Sequence, residues 1–359
     1  MENFLVLKRD AYLEFLDQTL ELDRLAQVRE HLSVLDRALA APPGELPGLF
    51  EVDSGTEVVR LRADVLRAEI AQLRAVYTLS RARHYLKQLR AGAAERRTTG
   101  FNDINLNRWK EYDEVLTDSL WVVDRRDTSG AHLGWYWGNF IPQIPHQLLL
   151  RYTRRGDWVL DPFAGSGTTL IECRRLGRHG LGVELNREVA TRAEDLVARE
   201  ENPYEVTTVI FAGDSTSFDF GAVTAGLGTD RVQLVLLHPP YHNIIRFDDD
   251  PRNLCNAPSV EQFLELLGRV VDNAGRLLEK GRYLAVVIGD RYSKGEWIPL
   301  GFYSMEQIRA RGYVLKSIIV KNFEETRGKR QQKELWRYRA LAGGFYVFKH
   351  EYILLFQKP

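Results

Sequence analysis

The chain has 359 residues, of which 44% are hydrophobic, a length that allows one large domain and a smaller one. Lysine plus arginine equals aspartate plus glutamate at 49 each, so net charge gives no sign of a nucleic-acid binder and any basic surface must be local. Cys173 and Cys255 form no C-x-x-C or zinc pattern, which favours a reduced, cytoplasmic setting. The N-terminus carries acids and lacks a long apolar core, which argues against a signal peptide or a membrane span.

Residues 1 to about 130 are predicted to be helical. Apolar residues recur in steps of three and four and predict a seam that faces another helix, at Leu25, Val28, Leu32, Leu35 and Leu39. We favour core packing for this seam over a dimer-forming coiled coil. A second long helix is predicted over 56–94, with similar spacing at Leu66, Ile70, Leu73 and Tyr77. The two helices would form a hairpin. Cations near its end, from Arg81 to Arg97, either contact phosphates or form a solvated face.

A strand, a glycine-rich turn and a helix are predicted between residues 157 and 177. The apolar run Trp158–Leu160 predicts a buried strand, which breaks into the block Asp161-Pro-Phe-Ala-Gly-Ser-Gly-Thr-Thr. Gly165 and Gly167 allow a sharp turn and the close approach of a ligand, because neither carries a Cβ. A helix is predicted from Thr168 to Leu176. The next predicted strand, 180–183, delivers Glu184 at its carboxyl end.

An acid at the end of the second strand can accept hydrogen bonds from both hydroxyls of a ribose, as in dinucleotide-binding folds. The stretch therefore predicts a nucleoside site. An NAD fingerprint is excluded, since Leu170 stands where the third glycine of G-x-G-x-x-G is required. A phosphate-binding P-loop is excluded as well, because no Gly-Lys-Ser/Thr follows.

The block from Asp161 to Thr169 resembles the S-adenosylmethionine motif of the DNA amino-methyltransferases, whose hallmark is Asp-Pro-Phe-x-Gly-Ser-Gly-Thr. The resemblance implies S-adenosyl-L-methionine as the cofactor. It also implies that the aromatic, glycine-rich segment before the turn closes over the methionine end of the cofactor, and that an acid after the third strand binds the adenine amino group. The implied cofactor-binding residues are Asn139, Phe140, Ile141, Asp161, Pro162, Phe163, Gly165, Ser166, Gly167, Thr168, Glu184, Leu185, Asp214 and Ser215.

The chemistry is expected in the loop His238-Pro239-Pro240-Tyr241, which follows a fourth predicted strand, 232–237. A base amino group is a poor nucleophile because its lone pair is delocalised into the ring. Acceptors on its hydrogens draw it towards a tetrahedral nitrogen and stabilise the charge that develops as the methyl group arrives. The Pro239 carbonyl and the side chain at 238 are the expected acceptors. Tyr241 is expected to stack on a base flipped out of the duplex, and the polar loop 243–256 to cover it.

His238 departs from the family pattern, which is Asp, Asn or Ser followed by Pro-Pro-Tyr. Asp or Asn is typical of adenine-N6 enzymes and Ser of cytosine-N4 enzymes. A neutral histidine can accept a hydrogen bond through one ring nitrogen, but a protonated one cannot. Because the acid is missing, we favour cytosine N4, with adenine N6 as the alternative.

A basic stretch is predicted to be a loop between the last two strands and to contact DNA, since cations interleave there with Trp336 and Tyr338. Its candidate DNA-binding residues are Arg327, Lys329, Arg330, Lys333 and Arg337.

Strands alternate with helices after residue 130, which predicts a doubly wound α/β sheet. The resemblance makes this a Rossmann-like methyltransferase domain over 131–359 with an antiparallel last hairpin, preceded by a helical region, 1–130, for DNA contact, recognition or dimerisation. It implies methylation of double-stranded DNA in a bacterial restriction-modification or orphan system, with a homodimer or a cognate restriction subunit as a further partner and a nucleoid-associated location. No metal is expected. Two different functions stay open from the residues alone, namely methylation of an amino group on RNA and the role of a non-catalytic nucleic-acid-binding subunit.

Overall fold

The computed structural model describes residues 4–40, 46–323 and 333–359. The chain divides into two compact units, the first comprising Met1–Gly100 and Ile104–Glu114, the second comprising Phe101–Asp103 and Val115–Pro359. Residues 115–130, which the sequence pattern groups with the helical region, thus belong to the second unit.

The first unit combines an antiparallel strand pair with helices. The strands are β1 (Phe4–Lys8) and β2 (Val58–Arg62). The helices are α1 (Arg9–Glu21), α2 (Leu25–Ala40), α3 (Pro47–Phe50), α4 (Ala63–Ala75) and α5 (Leu79–Ala94), followed by a 3-10 helix at Leu106–Glu111. The seam of α2 packs inside this unit, where Val28, Leu32, Leu35 and Leu39 are fully buried. Core packing, rather than a coiled-coil dimer, is therefore confirmed for the seam.

The prediction of one long helix over 56–94 was wrong. Residues 58–62 pair with the first strand instead, and the remaining stretch is broken between α4 and α5. Val76 adopts an extended backbone, and the Thr78 side chain caps α5 by accepting a hydrogen bond from the Arg81 amide. Tyr77 lies in this break and is 93% exposed, so it does not extend the apolar seam. Periodicity alone missed the cap because the apolar spacing continues on both sides of it.

The cations of α5 are partly neutralised within the first unit. Arg90 contacts Asp17 at 2.5 Å and Arg83 contacts Asp23 at 3.1 Å. These two arginines already have acidic partners, which weakens the case for a free phosphate-binding cluster on this helix.

The second unit is built on an eight-stranded sheet of order β3-β11-β12-β8-β7-β4-β5-β6. Its strands are β3 (Leu120–Trp121), β4 (Trp158–Asp161), β5 (His179–Glu184), β6 (Thr208–Ala212), β7 (Val232–Leu237), β8 (Leu278–Ile288), β11 (Val314–Asn322) and β12 (His350–Gln357). A separate pair is formed by β9 (Arg291–Ser293) and β10 (Glu296–Ile298). The helices are α6 (Gln143–Tyr152), α7 (Thr168–Leu176), α8 (Arg187–Ala198), α9 (Phe220–Gly226), α10 (Val260–Leu277), α11 (Leu300–Arg309) and α12 (Lys333–Gly343).

The sheet is mostly parallel, and β12 runs antiparallel to both β8 and β11. The predicted doubly wound α/β fold with an antiparallel last hairpin is confirmed. Strand β4 lies between β5 and β7, so the winding reverses direction there. Such a reversal opens a crevice beyond the carboxyl ends of the parallel strands, which is where ligands bind in these sheets.

The central strands are buried on both faces. Leu160, Leu237 and Val286 belong to a core on one side, whereas Val159, Leu236 and Val287 belong to a core on the other. Strands covered by helices on both faces carry continuous apolar runs instead of alternating ones. This rigid centre carries the loops at the sheet's carboxyl edge.

The predicted loop of the basic stretch is a helix in its described part, since α12 spans residues 333–343. Its sequence, KELWRYRALAG, is rich in strong helix formers, a propensity that the charge pattern obscured. Arg337 lies on this helix and is exposed. Arg327, Lys329 and Arg330 lie outside the described residues. Within the described residues, no helix is long and apolar enough to cross a membrane.

Candidate active site

The glycine turn connects β4 to α7 through two residues with left-handed backbones. Gly165 has φ +51° and Gly167, the residue before α7, has φ +80°. A Cβ at Gly167 would lie 2.6 Å from the Val197 Cγ2, which is closer than carbon atoms approach. Both the backbone angle and the packing therefore require glycine at this position.

Glu184, at the end of β5, holds the turn in place. Its Oε2 accepts a hydrogen bond from the Gly165 amide at 3.0 Å, and its Oε1 accepts one from the Asn186 amide at 3.0 Å. Burial raises the pKa of this carboxyl above its ordinary value, against the lowering effect of these amide donors. Each carboxylate oxygen can accept a second hydrogen bond, so Glu184 retains capacity for ribose hydroxyls.

Asp161 supports the turn from behind instead of facing the crevice. Its side chain is fully buried, and it accepts hydrogen bonds from the Thr169 Oγ1 at 2.5 Å and from the Phe163 amide at 3.0 Å. Burial raises the pKa of Asp161 to about 7. Ser166 is also buried, and its hydroxyl accepts a hydrogen bond from Asn139 Nδ2.

The aromatic segment before α6 forms one wall of the crevice. Asn139, Phe140 and Ile141 all line it, and Arg126 donates a hydrogen bond to the Phe140 carbonyl at 3.0 Å. Tyr136 stacks on Phe247 with ring centroids 5.6 Å apart. The segment thus meets the polar loop that follows the Pro-Pro-Tyr motif.

Asp214 and Ser215, after β6, line the crevice together with Leu185. Asp214 Oδ1 accepts hydrogen bonds from both the amide and the hydroxyl of Thr216, at 2.9 and 2.8 Å. Ser215 donates its hydroxyl proton to the Pro162 carbonyl at 2.7 Å. Ser215 therefore ties this loop to the glycine turn, while Asp214 is the residue of the pair whose side chain offers an acceptor to a ligand.

The loop from His238 to Tyr241 leaves β7 beside the glycine turn. All four of its residues line the crevice. The Tyr241 ring packs against Gly289, where a Cβ would lie 2.9 Å from the tyrosine Cε2. Its hydroxyl donates to Glu351 Oε2 at 2.8 Å and lies 3.2 Å from His238 Nε2. Burial and the neighbouring Glu351 raise the pKa of Tyr241 well above its ordinary value.

His238 is neutral near pH 7. Burial lowers its pKa to about 4, the positive charge of Lys321 acts in the same direction, and Glu351 opposes them. A neutral imidazole has one nitrogen with a free lone pair. His238 is therefore able to accept a hydrogen bond, the property expected of the residue at this position.

One cavity of about 940 Å³ is lined by both the glycine turn and the Pro-Pro-Tyr loop. Of the candidate cofactor residues, it is lined by Asn139, Phe140, Ile141, Pro162, Phe163, Gly165, Glu184, Leu185, Asp214 and Ser215. The other candidate cofactor residues, Asp161, Ser166, Gly167 and Thr168, are not among the residues that line it. The far wall includes aromatic side chains from β9, α12 and the segment before β12, namely Tyr292, Trp336, Phe345 and Phe348.

Arg126, Lys321 and Glu351 line this cavity but were not predicted from the sequence. Glu351 and Lys321 form a buried ion pair at 3.0 Å, each less than 10% exposed as a residue. Each of these two residues adjoins the apolar run of a predicted strand. A charge in that place could have indicated a buried ion pair, because a buried charge needs a partner.

A second polar cluster fastens the aromatic segment to α7. The Glu172 carboxylate is hydrogen-bonded to His132 Nε2 and to His146 Nδ1, both at 2.7 Å. Asp127, His132 and Glu172 each present a possible metal ligand. However, the Arg175 guanidinium lies 3.1 Å from Asp127 and 3.4 Å from Glu172, so a cationic group already neutralises these carboxylates. We interpret the cluster as a structural clamp.

The second unit is a Rossmann-like, doubly wound sheet whose switch-point crevice joins a glycine turn, an acid-ended second strand and a Pro-Pro-Tyr loop. Residues 83–195 match a family model described as DNA methylase, of the N6/N4 group. This part of the chain is thus similar to the N4/N6 amino-methyltransferases, and the similarity supports S-adenosyl-L-methionine as the cofactor.

Relatives among characterised proteins are Type II methyltransferases. The chain is 43% identical over 85 residues to M.MjaII of Methanocaldococcus jannaschii, which is 21% of this chain and 16% of that protein. It is 39% identical over 77 residues to M.XycI of Xanthomonas campestris pv. cyanopsidis, which is 21% of this chain and 24% of that protein. With M.SmaI of Serratia marcescens it is 35% identical over 101 residues, covering 25% and 33%. The matched segments thus span a third or less of these relatives.

Among solved structures, TrmN from Thermus thermophilus is similar with a TM-score of 0.40 and 18% identity, over 62% of this chain and 50% of that one. The [4+2]-cyclase SpnF gives a TM-score of 0.41 and 17% identity, over 62% and 86%.

Proposed function

We propose that this protein transfers a methyl group from S-adenosyl-L-methionine to the exocyclic amino group of a base flipped out of double-stranded DNA. The observation that carries the proposal is the shared cavity, in which the glycine turn and the His238–Tyr241 loop face the same space. A methyl donor on the turn and an amino group on the loop would then lie within one enclosure.

The cofactor residues divide by position. Glu184 offers carboxylate oxygens for the ribose, Asp214 an acceptor for the adenine amino group, and the Asn139–Ile141 segment a wall for the methionine end. The volume of about 940 Å³ exceeds what one nucleoside needs and leaves room for a base beside it. When bound, the cofactor supplies an electrophilic methyl group on a sulfonium sulfur.

The loop supplies acceptors for the amino hydrogens. The Pro239 carbonyl is one, since proline fixes the backbone there. The neutral His238 ring is the other, because burial lowers its pKa to about 4 and keeps a lone pair available at pH 7. Both acceptors favour a tetrahedral, nucleophilic nitrogen and stabilise the positive charge that forms on it.

For the methylated atom we favour cytosine N4, because the acid of the adenine-N6 pattern is absent at His238. Adenine N6 is the alternative and uses the same two acceptors. The biological setting we propose is a restriction-modification system or an orphan modification enzyme, with a homodimer or a restriction subunit as a further partner. The first unit and the exposed face of α12, including Arg337, are the proposed DNA-contact and recognition regions.

The first test incubates the protein with S-adenosyl-L-methionine and mixed-sequence duplex DNA, then digests the DNA to nucleosides for mass spectrometry. We expect N4-methylcytosine. N6-methyladenine would keep the mechanism and overturn the choice of base. A His238→Ala variant that still binds the cofactor should lose most of the activity, since a positioned acid–base group contributes about 100-fold or more.

Structured RNA is assayed in parallel. Methylation of RNA in preference to duplex DNA would replace the DNA substrate by an RNA one. If neither nucleic acid is modified although the cofactor binds, the protein is a non-catalytic or partner-dependent subunit, and the proposed activity of the isolated chain is refuted.

A further inference from the structure

Four side chains that line the cavity form a continuous chain of hydrogen bonds. Lys321 Nζ lies 3.0 Å from Glu351 Oε1, and Tyr241 donates to Glu351 Oε2 at 2.8 Å. The same tyrosine oxygen lies 3.2 Å from His238 Nε2. The chain joins residues 110 positions apart, since Tyr241 follows β7 and Glu351 lies on β12.

Counting protons along this chain assigns the tautomer of His238. The Glu351 carboxylate, paired with Lys321, can only accept hydrogen bonds, so the single hydroxyl proton of Tyr241 points to it. The tyrosine oxygen is then left with lone pairs towards His238. The hydrogen bond between them requires the proton to sit on Nε2 of the imidazole.

The other ring nitrogen, Nδ1, then holds a lone pair. It makes no hydrogen bond to any residue of the ranges 4–40, 46–323 and 333–359. The ring itself is held edge-on by Phe140, with centroids 4.7 Å apart, and lines the cavity. A tautomer fixed by the partner of the opposite nitrogen is a recurrent way of presenting a histidine lone pair.

We propose that Tyr241, Glu351 and Lys321 are positioning residues that hold His238 as its Nε2–H tautomer, so that Nδ1 accepts a hydrogen from the target amino group. This inference rests on the proposed methyl transfer and names the atom that performs one part of it. The nitrogen–carbon bond forms as the carbon–sulfur bond breaks, and the bonding electron pair stays on sulfur. The amino proton passes to Nδ1 and from there to solvent after the product leaves.

Glu351→Gln is the decisive variant because it reverses the direction of the hydrogen bonds from residue 351 through Tyr241 to His238. The amide oxygen still accepts from Lys321, whereas the amide nitrogen now donates to the Tyr241 oxygen. The tyrosine proton must then point to His238 Nε2, which moves the ring proton to Nδ1. A donor would face the amino group where an acceptor is needed. Tyr241→Phe removes the link without imposing the wrong tautomer and should be less harmful.

We expect Glu351→Gln to lower kcat by about 100-fold, the scale of a mispositioned acid–base group. Tyr241→Phe should lower it by about 10-fold. The KM values for cofactor and DNA should stay within about twofold in both, since the change affects the transition state. Glu306→Gln makes the same substitution in an exposed pair with Arg309 on α11 and should leave kcat unchanged.

Nitrogen-15 NMR of the labelled histidine rings reports the tautomer directly. The His238 signals, assigned by their loss in His238→Asn, should show Nε2–H in the wild type and Nδ1–H in Glu351→Gln. If an unpaired Lys321 prevents folding of the single variant, Tyr241→Phe keeps the Lys321–Glu351 pair and should still shift the His238 signals away from a pure Nε2–H tautomer.

His238→Asn supplies a further check, because its Oδ1 takes the place of Nδ1 and has no tautomer. The His238→Asn variant should retain activity. Adding Glu351→Gln to it should lower kcat little further, so the effects of the two substitutions on kcat should not be additive. An unchanged tautomer in Glu351→Gln, or full additivity with His238→Asn, would overturn the proposal. A tautomer that switches in a protein with no methyl transfer to DNA or RNA would instead uphold the hydrogen-bond chain and refute the proposed function.

Discussion

Replacement of Glu184 by glutamine tests the nucleoside site most directly. The wild-type carboxylate accepts one amide hydrogen bond on each oxygen, both at 3.0 Å. In Glu184→Gln, one of these amides would face an NH2 group, so at least one charge-assisted hydrogen bond is lost, together with the acceptor for a ribose hydroxyl. Hydrogen bonds to a charged group contribute about 1.5–3 kcal/mol each. A loss of about 2 kcal/mol corresponds to about 30-fold weaker binding.

The assay is isothermal titration calorimetry with S-adenosyl-L-methionine at a temperature well below the unfolding midpoint of each variant. Glu306→Gln, which changes an exposed carboxylate in the same way, should bind like the wild type. Since burial raises the pKa of Glu184, wild-type affinity should decline as the buffer is acidified, and the glutamine variant should not follow that decline. A dissociation constant within about threefold of the wild type in Glu184→Gln would refute the role of this carboxylate.

Three further predictions concern the catalytic loop, the turn and the DNA surface. Because the pKa of His238 is lowered to about 4, the single-turnover rate of methyl transfer should fall no more steeply in the wild type than in His238→Asn as the pH is lowered from 8 to about 5. An additional fall in the wild-type rate centred near pH 6.5, the ordinary pKa of histidine, would contradict this. Gly167→Ala and Gly156→Ala both place alanine at φ +80°, but only the first brings a Cβ within 2.6 Å of a valine methyl on α8. In urea unfolding, Gly167→Ala should therefore cost about 1–3 kcal/mol more, and equal costs would show that the turn adapts. Arg337→Ala should weaken DNA binding and make the slope of log K against log[salt] shallower by about one, whereas Arg309→Ala on α11 should change neither. Equal slopes for the two variants would exclude a phosphate contact by Arg337.

The sequence by itself determined the elements whose conformation depends on local chemistry. The strand–turn–helix at 157–177 could be predicted because Gly165 and Gly167 are needed for left-handed backbones, and α7 spans the predicted Thr168–Leu176. The doubly wound sheet could be predicted because strand patterns alternate with helix patterns along the chain, and β7 begins and ends where its apolar run does. Such elements can be predicted because their conformation depends on residues that are close together in the sequence.

Long-range contacts decided the rest. Strand β2 was mistaken for helix because its partner, β1, lies more than 50 residues earlier and only pairing makes it a strand. Asp161, a predicted cofactor residue, is fully buried and does not line the cavity, because its side chain is enclosed beside α7, where it hydrogen-bonds to Thr169. Lys321 and Glu351 escaped notice because a charge beside an apolar run does not say which distant residue is its partner. Only the antiparallel pairing of β11 and β12 sets them side by side under Tyr241, since in a sheet residues distant in sequence become direct neighbours.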